Sequence, residues 1–533
     1  MKIGLLLAFA SFLPVMAQTA PENNKSTVAA PATADAAAAD PLAPAQALLK
    51  QGKYLEAAAA FQVIVDKNPT SDRARTGLVR SLMRARKFDE AEDAAKKAVA
   101  AIPSSALLHA TMGDVNFRLG KLAETEGEYR AALRLDANSA RGWLGLGRVY
   151  DMVSMRKQAA AAFANAHRLD PEDRQIFEFW LDSLPRAQQL EELKKHAGAN
   201  PDEDQARRIK YLTAATEKKP FELITPIKPM ELKMAPYGRE RAGVYDINRN
   251  GPVTVSKGFA LQVKFNDRAS ADLLLDTGAS GITIGNKLAE KAGVVKIVDS
   301  YFGGLGDRGP VQSYLGWVDK INIGGVEFRN YIVEVSSKKD IVDEAGLIGA
   351  DVFSKFLITL DFRNQKLMLA PLPKNPAATS DDDEALEDRY IAPEMQGYTK
   401  FFHFSHDLVV PVVVSDKTVG NFILDTGADL NSISPKFAAQ VTKASFQDDY
   451  RIKGVSGKID RVATGDKVIL MFAKMRIESH DLPVFSTDGV SAYEGTEIAG
   501  FIGIRTLVQM KMTIDYRDGL LNLEVYDFKK ARE

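Results

Sequence analysis

Two tetrapeptides in this chain have residue types and context suited to chemistry: Asp276-Thr277-Gly278-Ala279 and Asp425-Thr426-Gly427-Ala428. Each ends an apolar run, Leu273-Leu274-Leu275 in the first and Phe422-Ile423-Leu424 in the second, which reads as a buried strand. Two carboxylates held about 3 Å apart cannot both ionise, so they share one proton and their apparent pKa values separate. The ionised partner can then take a proton from a water while the protonated partner polarises a carbonyl. Each copy supplies one Asp, so the chemistry needs both. Gly278 and Gly427 are expected to let the turn fold tightly and a substrate approach the carboxylates.

The composition narrows the alternatives. With no cysteine, disulfides, thiolate zinc sites, iron–sulfur clusters and cysteine nucleophiles are excluded. A formal net charge of -1 gives no long-range pull toward nucleic acid or an anionic membrane. The 533 residues, 45% of them apolar, suit three or four globular domains.

The elements that must position the aspartates are themselves duplicated. After each Asp-Thr-Gly-Ala comes a short β-like run and a helical segment, 287–292 and 435–441. A second apolar-plus-glycine element follows, Gly346-Leu347-Ile348-Gly349 and Gly500-Phe501-Ile502-Gly503. Closing hairpins begin at Thr359-Leu360-Asp361 and Thr513-Ile514-Asp515, where Asp361 and Asp515 read as turn residues. This arrangement resembles the aspartic proteases, specifically the retropepsin-like group with Asp-Thr-Gly-Ala, duplicated in one chain as in two-lobed pepsins. The resemblance covers about half the chain. It implies an aspartic-type endopeptidase that hydrolyses peptide bonds through a water activated by Asp276 and Asp425. It also implies that Thr277 and Thr426 hydrogen-bond across the lobe junction. Ala279 and Ala428 depart from pepsins, which place a hydroxyl there. Without that hydroxyl the ionised dyad is less favoured, and the working pH is expected to lie nearer neutrality.

Glycine-rich stretches at 302–309 and 453–458 sit where flaps should cover the cleft. Phe302, Gly304, Gly306, Val455 and Gly457 are therefore candidate substrate contacts. Gly304, Gly306 and Gly309 also fit a dinucleotide-binding pattern, but Pro310 and strand-like residues follow in place of a helix. His403 and His406 are spaced like possible metal ligands, but they precede a strand, and a surface or core role is expected. No cofactor and no metal are expected. Asp429 either shapes the pocket or faces solvent, and the sequence leaves both open.

Upstream, Pro69, Pro103 and Pro171 fall on a 34-residue period, with Ala137 in the remaining slot. Trp143, Leu146, Gly147, Tyr150, Ala159, Phe163, Ala166 and Pro171 complete the pattern in the last unit. This resembles tetratricopeptide repeats, in which small residues let paired helices approach and proline stops the second helix. Such solenoids bind proteins or peptides and carry no reactive groups of their own.

The N-terminus has Lys2, an apolar run over 3–16 and Val15-Met16-Ala17, the pattern of a secretory signal peptide. Secretion without disulfides suits a bacterial periplasm or extracellular release, and no later run is long enough to span a membrane. The expected organisation is a signal peptide over 1–17, a disordered linker over 18–42 and a repeat solenoid over 43–200. A connector over 201–244, a first protease lobe over 245–372, an acidic linker over 373–399 and a second lobe over 400–528 complete it. The fold class is thus a multidomain chain, an all-α tetratricopeptide-repeat solenoid followed by a mainly-β two-lobed aspartic protease of acid-protease-like barrels. The expected partners are a peptide or protein substrate at the cleft and a protein on the repeats. A competing reading keeps the two-lobed cleft as a non-catalytic peptide-binding or scaffold protein.

Overall fold

The computed structural model describes residues 8–9, 40–246, 251–304, 311–336, 346–378, 386–446, 452–454, 457–459 and 462–526. These divide into two compact units, one of which comprises most of the repeats and the other 184 onward.

The repeat unit is a run of antiparallel helix pairs. The second helices of successive pairs begin at Tyr54, Phe88, Leu122 and Arg156, each 34 residues after the last. First helices Asp72–Arg84 and Ala106–Arg118 are capped by Ser71 and Ser105, whose hydroxyls accept from the amides of Ala74 and Leu108. Close approach depends on glycine: a Cβ on Gly147 would stand 2.5 Å from Phe163 Cε1, and one on Gly77 2.4 Å from Phe61 Cε1. The aromatic rings fill the space that those missing side chains leave, and Phe61, Tyr129 and Phe163 are buried.

The second unit is mostly β-sheet and is built twice over. In each lobe the aspartate-bearing strand, Ala269–Asp276 or Thr418–Asp425, lies between an antiparallel neighbour and a short parallel one. The antiparallel neighbours are Gly251–Phe265 and Asp407–Val414. The parallel ones are Gly346–Gly349 and Gly500–Gly503, in register Gly349 to Asp276 and Gly503 to Asp425. Leu273, Leu274 and Leu275, like Phe422, Ile423 and Leu424, are all buried, which explains their unbroken apolar runs.

A third sheet joins the lobes. Its order is Thr399–Lys400, Leu520–Val525, Met510–Asp515, Phe356–Asp361, Lys366–Pro371 and Met230–Lys233. The closing hairpins of the two copies meet at its centre, Thr359 opposite Thr513 with their hydroxyls 3.0 Å apart. One apolar core runs beneath both lobes, from Phe265 and Phe353 to Phe422 and Ile502. The lobes therefore pair within a single chain.

Two stretches expected to be connecting chain are folded. Within 201–244, helix Glu203–Glu217 packs Tyr211 and Ala214 against Ile297, Val298 and Ile332 of the first lobe. Strand Met230–Lys233 joins the central sheet, and Ala235–Asp246 pairs with Gly251–Phe265 as an edge strand, a position that tolerates Pro236. Within 373–399, the described residues from 386 onward bury Ala392 and Met395 against Leu520. Proline and charge density suggested solvated chain, but interspersed apolar residues anchor both stretches. No helix among the described residues is long and apolar enough to cross a membrane.

Candidate active site

The two Asp-Thr-Gly-Ala turns meet at the lobe junction, and their threonines lock them together by four hydrogen bonds. Thr277 Oγ1 donates to the Leu424 carbonyl at 2.7 Å and accepts from the Thr426 amide at 3.0 Å. Thr426 Oγ1 donates to the Leu275 carbonyl at 3.0 Å and accepts from the Thr277 amide at 3.0 Å. Every bond crosses between lobes, and all four residues involved are buried, where an unmade bond is costly.

This lattice sets the aspartates face to face. Both are fully buried, and the Asp276 charge acts directly on the Asp425 carboxyl. Asp276 Oδ1 accepts the Gly278 amide at 2.9 Å, while Asp425 Oδ1 accepts those of Gly427 at 2.7 Å and Ala428 at 3.0 Å. Burial first, then the adjacent Asp276 charge, push the Asp425 carboxyl well above its ordinary range, against the pull of the Gly427 and Ala428 amides.

Gly278 and Gly427 have a reason that the sequence did not reveal. Neither takes a left-handed backbone. Instead, a Cβ on Gly278 would stand 2.8 Å from Asp425 Cγ, and one on Gly427 2.4 Å from Asp276 Oδ2. Each glycine gives way to the opposite lobe's carboxyl. Ala279 and Ala428 are buried, leaving no hydroxyl beside either carboxylate from these positions.

Behind the turns, the duplicated glycine elements serve as backstops. The Gly349 amide donates to the Gly281 carbonyl, and the Gly503 amide to Asn431 Oδ1. Here the copies use different chemistry at matching positions. In the first lobe Asp351 accepts from the Ser280 hydroxyl at 3.0 Å and the Gly281 amide at 2.9 Å, and burial raises its carboxyl to about 6. In the second, Arg505 clasps Asp429 through two bonds of 2.9 and 2.8 Å. Asp429 is thus a buried ion-paired brace for its turn, neither solvent-facing nor aimed at the dyad.

The other candidates separate. Phe302 and Gly304 lie on strand Val295–Gly304, which pairs with Val311–Ile323, while Gly306 lies outside the described residues. Gly457 lies on a three-residue strand paired with Ile452–Gly454, and Val455 is likewise outside the description. Asp361 and Asp515 accept the amides of Asn364 and Asp518 in their hairpin turns. His403 is half-buried against Phe401. His406 is buried, and its Nε2 lies 3.2 Å from the Gly278 carbonyl, so it touches the catalytic-type turn of the other lobe. Asp407, close to the dyad as well, and Glu494, close to Asp407, were not singled out from sequence.

Models of two known families match part of each half. Residues 261–352 match the aspartyl protease family and residues 48–115 match the tetratricopeptide repeat. Among solved structures, a thermophilic tetratricopeptide protein of Thermus thermophilus is 22% identical over 32% of this chain and 97% of its own, with a TM-score of 0.29. MamA is 18% identical over 33% of this chain and 95% of its own, with a TM-score of 0.22. The first tetratricopeptide domain of Spaghetti (RPAP3), solved with an HSP90 peptide, is 19% identical over 21% of this chain and 89% of its own, at 0.20. No curated protein matches the chain.

Proposed function

We propose that the chain, which carries an aspartyl protease-like domain and tetratricopeptide repeats, is an aspartic endopeptidase with Asp276 and Asp425 as its catalytic dyad. The observation that carries this reading is the pair of buried carboxyls brought together on two turns that the four threonine bonds hold. In a low-dielectric site the pair keeps one proton. The ionised carboxylate accepts a proton from a water as that water attacks the scissile carbonyl. The protonated carboxyl donates to the carbonyl oxygen, giving a neutral tetrahedral diol. Collapse returns a proton to the departing amine, breaks the C–N bond and restores the shared proton. The fixed amides of Gly278, Gly427 and Ala428 keep the carboxylates oriented throughout.

The repeats are proposed to recruit a protein substrate or partner, and the apolar run over 3–16 supports export to a bacterial periplasm or beyond. Both aspartates are present and nothing in the site favours a non-catalytic cleft. The test is a peptide-library cleavage assay across pH, with and without a peptide inhibitor carrying a hydroxyl that mimics the tetrahedral diol. Cleavage should disappear with the inhibitor and in Asp276→Asn and Asp425→Asn, with the double variant little worse than either. Substantial turnover by either single variant would refute the dyad.

A further inference from the structure

Strand Asp407–Val414 pairs with Thr418–Asp425 with Val409 opposite Ile423. Continued two residues toward the dyad, that register sets Asp407 opposite Asp425, and residues so opposed share a face of the sheet. The first lobe pairs Ala260 with Leu274, so its matching position is Gly258. A Cβ there would stand 2.6 Å from Leu274 Cδ1. The duplication is broken at this position: the second lobe adds a carboxyl beside the dyad, and the first has no side chain there.

Asp407 is fully buried, and neither of its oxygens is satisfied by a backbone amide or hydroxyl among the described residues. His406 Nε2 lies 3.3 Å from Asp407 Oδ1. The other titratable groups around it are Glu494 after helix Asp488–Tyr493, Asp425 on the neighbouring strand, Asp276 in the first-lobe turn, and Tyr516 after strand Met510–Asp515. None is lysine or arginine. Burial lowers His406 to about 4, so it brings no positive charge at neutral pH. Glu494 is only partly covered as a residue, yet its Oε1 is closed off from solvent. Burial lifts its carboxyl to about 8. Asp407 thus lies within electrostatic reach of three other carboxyls, those of Glu494, Asp425 and Asp276, and carboxyls so coupled give up their protons one at a time.

We propose that Asp407 and Glu494 are positioning residues, a second carboxyl pair set against Asp425 that holds the last dyad proton in place as the pH rises. This rests on the protease reading. The dyad works only while it keeps one proton, and negative charge appearing on the outer pair opposes that proton's departure. Removing the outer pair should therefore make the dyad lose its proton at lower pH.

The test uses the full chain with Glu494→Gln, Asp407→Asn and both together. Two readouts are taken: the pH profile of kcat/KM, and the carbon-13 titration of the dyad carboxyls in aspartate-labelled protein, assigned through Asp276→Asn and Asp425→Asn. In the double variant the alkaline limb and the dyad titration should both fall by about one pH unit, a tenfold loss in proton affinity. Glu494→Gln alone should shift both the same way by less, and it decides the matter if Asp407→Asn fails to fold. A dyad titration unmoved in the folded double variant, or in Glu494→Gln where only that variant folds, would overturn the proposal. If the parent protein cleaves nothing, the protease reading fails while the carboxyl titration still decides the role of the outer pair.

Discussion

Replacing Thr277 with Val keeps the side chain's shape and deletes its hydroxyl. Two bonds vanish, the one to the Leu424 carbonyl at 2.7 Å and the one from the Thr426 amide at 3.0 Å. Both orphaned groups belong to buried residues of the other lobe. Leaving a buried polar group unpaired costs about 1–3 kcal/mol. Two such groups give a central value of about 4 kcal/mol, and relaxation toward other partners brings this to about 3 kcal/mol. At 1.4 kcal/mol per tenfold, local opening of the junction becomes on the order of a hundredfold more frequent. Hydrogen–deuterium exchange by mass spectrometry reads this directly. Amides around 424–428 should exchange about a hundredfold faster, although the substitution is 149 residues away in sequence. The repeat helices should not change, Thr277→Ser should restore protection, and kcat should fall more than KM rises because the dyad loses its fixed spacing. Unchanged protection at 424–428 in Thr277→Val would refute the claim that these bonds hold the two turns together.

Three further outcomes are expected. Replacing Ala279 and Ala428 with Thr should move the alkaline limb of the pH–rate profile downward, because hydroxyls beside the carboxylates favour the ionised dyad; an upward or absent shift refutes this. Glu334, buried beside Ser313, has a carboxyl raised by burial from 4.5 to about 7, so the native state holds a proton that the unfolded chain has released. Its contribution is complete below pH 4.5 and is lost as the pH rises through about 7, worth about 3 kcal/mol in all; urea melts of Glu334→Gln should show a flatter fall in stability over that window, and an identical slope would refute the assignment. Deleting residues 18–183 should leave cleavage of short peptides intact and abolish the advantage of a protein substrate that docks on the repeats. Equal loss of both activities by a folded fragment would make the repeats part of the catalytic architecture.

Much of this protein is written in local spacing. The 34-residue period is legible because each helical hairpin repeats the same contacts, glycine against aromatic, at fixed offsets. The two aspartates are legible because each sits at the end of an unbroken apolar strand followed by the same turn. Function at such a turn depends on a handful of consecutive residues, and the duplication shows the motif twice. The crossing threonine bonds follow from the family resemblance, and the structure supplies their partners, the Leu275 and Leu424 carbonyls.

What consecutive residues could not say is which distant groups come within reach of one another. Asp407 reaches Asp425 only through strand register, and Glu494 reaches Asp407 only through the packing of a short helix 69 positions beyond Asp425. Gly278 and Gly427 are recognisable in sequence as turn glycines, yet the space they leave is filled by a carboxyl from the other lobe. The stretches over 201–244 and 373–399 read as linkers because prolines and charges dominate them, and a few apolar side chains tie them to sheets formed by remote strands. Sequence by itself determined the two architectures, the duplication and the identity of the paired aspartates, all set by short-range pattern. Tertiary structure alone decided the surroundings of those aspartates, because burial and charge proximity act through space and depend on how separate segments pack.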